Sequence, residues 1–229
     1  MFKKRAGFLT RCVLAVAAFA LLCSCAGSYI TPNFSRPGFS LADFRAARSI
    51  LVVTENAQVL AFNKSFAKAY GNGESLAKHL SRMLEDSLNA SGSGMAISLG
   101  SPELSKVLDS ASRDTAVKLD SVFKSIDARY VVHVGNILIR SFATYTEGVM
   151  APSGPGGQMA MTGGGSSTNC HILYDVTIWN VDEKTPVLTF SAKGSASVFL
   201  FFYQTALENA VWKSVQNTVG YLRSGKEKF

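Results

Sequence analysis

The chain has 229 residues, of which 47% are apolar and 17% charged, and a formal charge of +7. That apolar share excludes a self-repelling disordered polymer, and the length suits one domain able to bury its own core. The basic excess sits at the start: of 23 Lys and Arg, four (Lys3, Lys4, Arg5, Arg11) precede Cys25 and no acid does, so from Cys25 onward 19 basic residues face 16 acidic ones, a net of +3. Nucleic acid as a partner is not expected, because it needs Lys and Arg clustered on one face and here they are scattered.

The basic start is followed by the apolar run Cys12-Val-Leu-Ala-Val-Ala-Ala-Phe-Ala-Leu-Leu22 and then by small residues, the pattern of a secretory signal. The run is too short for a spanning helix, which needs roughly 20 apolar residues to cross ~30 Å of hydrocarbon. An uncleaved anchor or a buried helix is the plainer alternative. The segment Leu22-Cys23-Ser24-Cys25-Ala26 resembles the lipobox of bacterial lipoproteins, with Leu three residues and Ser one residue before the cysteine. That resemblance implies that residues 1–24 are a cleaved signal peptide and that Cys25 is the acylated residue, carrying palmitate-type chains that hold the protein on a membrane. Cys23 is a poorer acceptor because the bulky Leu22 precedes it. With Cys12 and Cys23 removed and Cys25 modified, Cys170 has no intramolecular partner, so the fold must stand without a disulfide.

Residues 27–40 hold two Pro, two Gly and four Ser or Thr without an apolar period, so residues 25–45 are expected to be a lipid-anchored tether reaching up to about 50 Å. Tyr29, Phe34 and Phe39 in it are expected to pack locally. Ser40-Leu-Ala-Asp43 predicts a capped short helix to about Ala47, and the globular domain, residues 46–229, follows. The β-branched run Ser49-Ile-Leu-Val-Val-Thr54 predicts an interior strand, apolar on both faces. Residues 55–71 are expected to form a long, candidate functional loop. Leu76, Leu80, Met83, Leu84 and Leu88 predict an amphipathic helix over 74–89, and a short strand over 95–99 follows. Ser101-Pro102 predicts a helix start, continued or restarted near Asp114 through Ala116, Leu119, Phe123 and Ile126. Residues 129–140 predict a long strand, bulged at Gly135-Asn136 and extending toward Tyr145.

Residues 148–168 contain seven Gly, two Pro and three Met, a composition that predicts a mobile hairpin loop. Beyond it Ile172, Tyr174, Val176 and Ile178 alternate with polar residues, predicting a strand with one buried face; residues 182–186 turn the chain and 187–194 return it. Thr205-Ala-Leu-Glu208 predicts a capping box, and Leu207, Val211, Val215, Val219 and Leu222 share the apolar face of a last helix that Gly225 closes.

The predicted class is α+β, a single domain with a mixed β-sheet covered by helices. Four stretches, Ile50 to Val53, Gly73-Glu-Ser-Leu-Ala77 through Leu88, Asp127-Ala-Arg-Tyr-Val-Val132 and Trp179 to Leu188, resemble a group of bacterial envelope lipoproteins. Their domain is like the N-terminal domain of the Tol translocation protein; the lipoprotein activator of penicillin-binding proteins and the periplasmic part of the curli-secretion channel belong to the group. The last stretch resembles a strand, Asp-x-x-Thr-Gly turn, strand pattern, with Pro186 where that pattern has glycine. The resemblance covers roughly residues 46–224. It implies a non-catalytic protein-binding or accessory module in envelope assembly or transport, anchored in the outer membrane and facing the periplasm. Ala26 fits that destination, since Asp after the cysteine is the retention mark in the enterobacterial pattern.

No catalytic motif emerges. His79, His133 and His171 show no i, i+4 pairing on one helix face, so no metal and no cofactor are expected. Ser75-Leu-Ala-Lys78 matches Ser-x-x-Lys literally but lies on the amphipathic helix without companion motifs. The glycine-rich stretch lacks the Lys of a phosphate loop, with no Lys or Arg between Arg140 and Lys184. Cys170 is expected to be a small buried strand residue, and the aromatic run 197–203 to pack at a strand end and helix entry rather than to form an exposed patch. The rival expectations are an oligomeric secretion or pore subunit and, less well supported, a hydrolase. Arg140 interrupts the outward alternation that a membrane strand at 137–147 would need.

Replacing Cys25 with Ala should abolish incorporation of labelled palmitate and leave the precursor unprocessed, whereas Cys23→Ala should be processed and labelled normally. Palmitate on the Cys25→Ala protein would place the lipid elsewhere.

Overall fold

A computed structural model describes residues 27–54, 59–60, 64–92, 95–98, 104, 108, 123–124, 126–146, 149–152, 159–162, 165–198 and 202–226. Nine strands are described: β1 (Tyr29–Ser35), β2 (Ser49–Val53), β3 (Val59–Leu60), β4 (Met95–Ser98), β5 (Tyr130–Thr146), β6 (Val149–Pro152), β7 (Met159–Thr162), β8 (Gly165–Asn180) and β9 (Thr185–Val198). The helices among these residues are α1 (Leu41–Arg45), α2 (Lys64–Tyr70), α3 (Gly73–Ala90) and α4 (Tyr203–Ser224). The main sheet is open and mixed, in the order β1-β9-β8-β5-β2-β4 with β3 beside β5. The α+β class with helices on a mixed sheet is therefore observed.

β2 is interior: it runs parallel to β4 on one side and to β5 on the other. Its alternate residues supply two cores. Ile50 and Val52 join the main core beneath α1, α3 and α4, while Leu51 and Val53 join a smaller one on the opposite face with Val131, Trp179, Val181, Leu104, Leu108 and Phe123. A strand with no polar face fits only where both faces are covered. α3 buries Leu76, Leu80, Leu84 and Leu88 as the amphipathic spacing predicts, and the Asn72 side chain caps it by accepting from the Ser75 N–H at 2.8 Å. At the outer edge of β4 the Asn89 amide takes both backbone groups of Ala96, at 2.8 and 3.0 Å, closing part of an otherwise open strand edge.

α4 is the long lid of the main core. Ala206, Leu207, Ala210, Val211, Val215, Val219 and Leu222 are buried along it, and Gly225 ends it in the left-handed conformation at φ 67°. The helix comes so close to β9 that a Cβ on Gly194 would collide with the Ala210 carbonyl oxygen and lie 2.8 Å from both Ser214 N and Ser214 Cβ. Within the same interface the fully buried Tyr174 hydroxyl meets Thr218 Oγ1 at 2.9 Å. Burial holds the Tyr174 phenol neutral, its pKa raised to about 12 by desolvation.

Four expectations need correction. The tether over 25–45 gives way from Tyr29 onward: β1 adds antiparallel to β9, with Tyr29 opposite Lys193 and Ser35 opposite Leu188. Only Ile30 of β1 is buried, and Pro32 carries no N–H, so the strand has the polar, proline-bearing composition of a linker while its backbone bonds do the pairing. Residues 55–71 are not one long loop, since they contain β3 and α2. The glycine-rich segment 148–168, expected to be a mobile hairpin loop, does fold back as a hairpin, but largely as paired strands rather than as loop. β6 and β7 pair from Val149 opposite Thr162 to Pro152 opposite Met159, and Gly165 to Thr168 belong to β8 against Ala143 to Thr146 of β5. Backbone pairing suffices there, without the apolar period that would announce it. Finally, α4 begins after Phe202, which makes no side-chain cap, so Thr205 and Glu208 lie inside the helix and Glu208 accepts instead from Gln204 at 3.1 Å.

The bulge at Gly135-Asn136 is observed as a register shift between Gly135 and Leu138, with Asn136 at φ 43°. The hairpin turn places Lys184, not a glycine, at φ 56°. Residues 1–26 and the helix expected to start at Ser101-Pro102 and continue past Asp114 lie outside the described residues, save for the buried side chains of Leu104, Leu108 and Phe123.

The seat of α4 gives a paired test. Gly194→Ala should cost about 3 kcal/mol or more and lower the thermal midpoint by roughly 6–12 °C, since overpacking against a backbone carbonyl has no cheap relief. Gly220→Ala, on the same helix with nothing within 4 Å of the added Cβ, should instead raise stability by up to about 1 kcal/mol through helix propensity.

Candidate functional site

Of the residues singled out in the sequence, Cys25 lies outside the described residues, four positions before the start of β1. Phe39 packs edge-on against Tyr130 with ring centroids 6.2 Å apart, as local packing requires. Tyr29 and Phe34 do not follow that expectation and remain 39% and 45% exposed. Ser75 and Lys78 are both exposed on α3. In the aromatic run, Phe202 is 61% exposed, while 199–201 lie outside the described residues.

The titratable candidates do not converge. His79 is exposed on α3 with its ring 5.2 Å from that of Tyr70. His133 is buried on β5, where desolvation lowers its pKa to about 4 and so keeps the imidazole neutral. Cys170 is buried on β8 as expected, and desolvation pushes its thiol to about 12, far from the thiolate a nucleophile needs. His171, the next residue, faces the opposite side of the sheet and stacks on Phe142, centroids 4.5 Å apart and planes 7° from parallel. Among the described residues no three His, Cys, Asp or Glu side chains are grouped to hold a metal.

What does converge is a patch on the sheet face opposite α4. One cross-strand row runs Tyr29, Lys193, Leu173, Leu138, and the next runs Ser195, His171, Arg140. Phe142 follows two residues beyond Arg140 on the same face and is 50% exposed. Together these strands line a cleft of about 160 Å³. Lys193 Nζ lies 4.9 Å from the Tyr29 ring centroid, a cation over an aromatic face. Burial and the neighbouring Lys193 charge keep the His171 pKa below its ordinary value. Among the described residues, both His171 ring nitrogens and Ser195 Oγ are buried without a hydrogen-bond partner. The nearest acid in the adjoining row, Asp175, is engaged: Ser191 donates to it at 2.6 Å and Asn33 donates to Ser191 at 3.1 Å. The patch therefore offers cations and aromatic rings, a surface suited to binding an anionic, partly apolar group.

A second cleft, of about 230 Å³, opens at the other end of β1 between Arg36, Asp43, Arg129, Tyr130 and Glu183. It is internally neutralised, because Arg36 pairs with Glu183 and donates to Thr185 at 3.1 Å.

Sequence reading missed the patch. Its period-two signal is present, in Leu138, Arg140, Phe142 and in His171, Leu173, but which strands lie side by side is set by pairings that span most of the chain.

No protein-family model and no curated relative matches the chain. Solved structures of similar chain path include a point variant of the PelC dodecamer from Paraburkholderia phytofirmans, at 10% identity and TM-score 0.42, covering 86% of this chain and 99% of that one. A neuraminyllactose-binding hemagglutinin homolog from Helicobacter pylori matches at 12% identity and TM-score 0.39, over 78% of this chain and 87% of that one. Lipoprotein GNA1162 from Neisseria meningitidis matches at 10% identity and TM-score 0.28, over 74% of this chain and 98% of that one. At such scores these likenesses assign no family and carry no argument about function.

The buried His133 makes stability depend on pH in a defined direction. Its folded pKa, about 4, lies below the unfolded value near 6.5, so the unfolded chain binds the proton first, and stability present above pH 6.5 is lost as pH falls toward 4. Between pH 7 and pH 5 the loss from this group should be about 2 kcal/mol. Urea unfolding of His133→Gln over the same interval should show a correspondingly flatter profile, whatever its absolute stability.

Proposed function

We propose that this chain is an envelope lipoprotein, cleaved before Cys25 and acylated there, whose domain is a non-catalytic module that binds another envelope protein in assembly or transport. The observation that carries the reading is the lipobox-like Leu22-Cys23-Ser24-Cys25 at the end of a basic and apolar leader, four residues ahead of a strand locked into the domain. A diacyl anchor so close to folded structure holds the domain at a membrane surface, where two chains give stable attachment and one only marginal attachment. The outer membrane, with the domain facing the periplasm, is the proposed location, on the strength of Ala26.

The non-catalytic reading is supported by how the reactive side chains are used. His133 is held neutral inside the fold, the Cys170 thiol is raised to about 12, and His171 is stacked flat on Phe142. Each is committed to packing rather than poised for proton transfer or attack.

Crosslinking in intact cells followed by affinity capture of the full chain should yield one dominant heteromeric species of discrete mass, recovered with the outer-membrane density fraction. A large ring of this chain alone, measured by mass in detergent, would overturn the module in favour of the pore or secretion subunit. Recovery in the inner-membrane fraction would overturn the location.

A further inference from the structure

We propose that the open sheet face around Tyr29, Arg140, Phe142, His171 and Lys193 is the surface by which the domain lies against the phosphate headgroups of the membrane that holds Cys25. The proposal rests on the acylation of Cys25 read above. Tyr29 is four positions after Cys25, a span of at most about 14 Å, and the register of β1 sets Tyr29 directly beside Lys193. The patch thus begins at the point of the domain tied most closely to the lipid.

Its chemistry suits a bilayer surface. Arg140 and Lys193 make no ion pair among the described residues, and Asp175, the acid in the adjoining row, is taken up by Ser191. Long basic stems beside Tyr29 and Phe142, 39% and 50% exposed, place charge and apolar ring together, as side chains do at a headgroup boundary. A free phosphate would satisfy the cations equally but would leave both exposed rings in water, so the occupant is the membrane itself.

The test uses the full chain, processed in cells, extracted in detergent and reconstituted into phosphatidylglycerol-containing vesicles. Phe142→Cys and Trp212→Cys variants carry a thiol-reactive fluorophore, Cys25 being acylated and Cys170 buried. Trp212 is an exposed control on α4, across the sheet from the patch. A headgroup-spin-labelled phospholipid should quench position 142 several-fold more than position 212, and Arg140→Glu with Lys193→Glu should reduce quenching at 142 toward that at 212. Equal quenching at both positions, or stronger quenching at 212, overturns the docking surface, including the case in which a protein partner covers the patch. Mass spectrometry of the same protein reads the acyl chains. Their presence with equal quenching overturns the surface and keeps the anchor. Their absence overturns the anchor, and flotation of the unacylated chain with these vesicles at low salt then decides the surface, which stands if the chain floats and the two charge reversals release it, and falls if it stays behind.

Discussion

The fold depends on how closely α4 can settle on β9. Helix and sheet touch through backbone at Gly194, where the Ala210 carbonyl and Ser214 leave no space for a side chain. That contact lets Ala206, Ala210 and Val211 reach the sheet and brings Thr218 to the Tyr174 hydroxyl. Any side chain at 194 would lift the helix and open gaps along its whole buried stripe, which close-packed interiors do not tolerate cheaply. The small residues along α4 and the glycine beneath it are one device, read from two places in the chain.

The two faces of the sheet are consequently unequal. The α4 side is sealed by helices. The other side is covered at one end by the smaller core around Trp179 and Val131, and toward the end where β1 enters it presents charged and aromatic side chains. Both arise from ordinary period-two strands: Val131 and Arg140 lie on the same strand and the same face, separated by the bulge at Gly135-Asn136, one buried and one open. The bulge preserves the alternation on each side of it while shifting the register by one residue, so the apolar side chains before and after it still face α4.

Much of this was legible because it is written in period. Leu76 to Leu88 on α3, the alternation of β8 and the doubly apolar β2 each carry a pattern with a single structural meaning, and the mixed α+β class followed from their order. The parts that escaped are those held by backbone rather than side chains. β1 buries one side chain in seven, and β6 and β7 pair within a segment rich in Gly, Met and Pro, so neither raises the alternating signal of a strand. The start of α4 escaped for the opposite reason: Thr205 and Glu208 have capping chemistry, but the helix was extended by residues before them. As for the patch, Tyr29, Arg140 and His171 were each read alone, as local packing, a break in alternation and a lone histidine, and only the pairing of β1 with β9, β9 with β8 and β8 with β5 assembles them.

The strand that begins the domain closes on one of the last to be made. Ser28 accepts a hydrogen bond from the Ser195 backbone, 167 residues further along, at 3.0 Å. During synthesis β1 therefore emerges with nothing to pair with, and must wait until the β8–β9 hairpin has been made. For that interval its backbone N–H and C=O groups are left to water. The long sequence separation thus acts as a timer, so that the first strand of the domain docks only when nearly all of the chain has arrived.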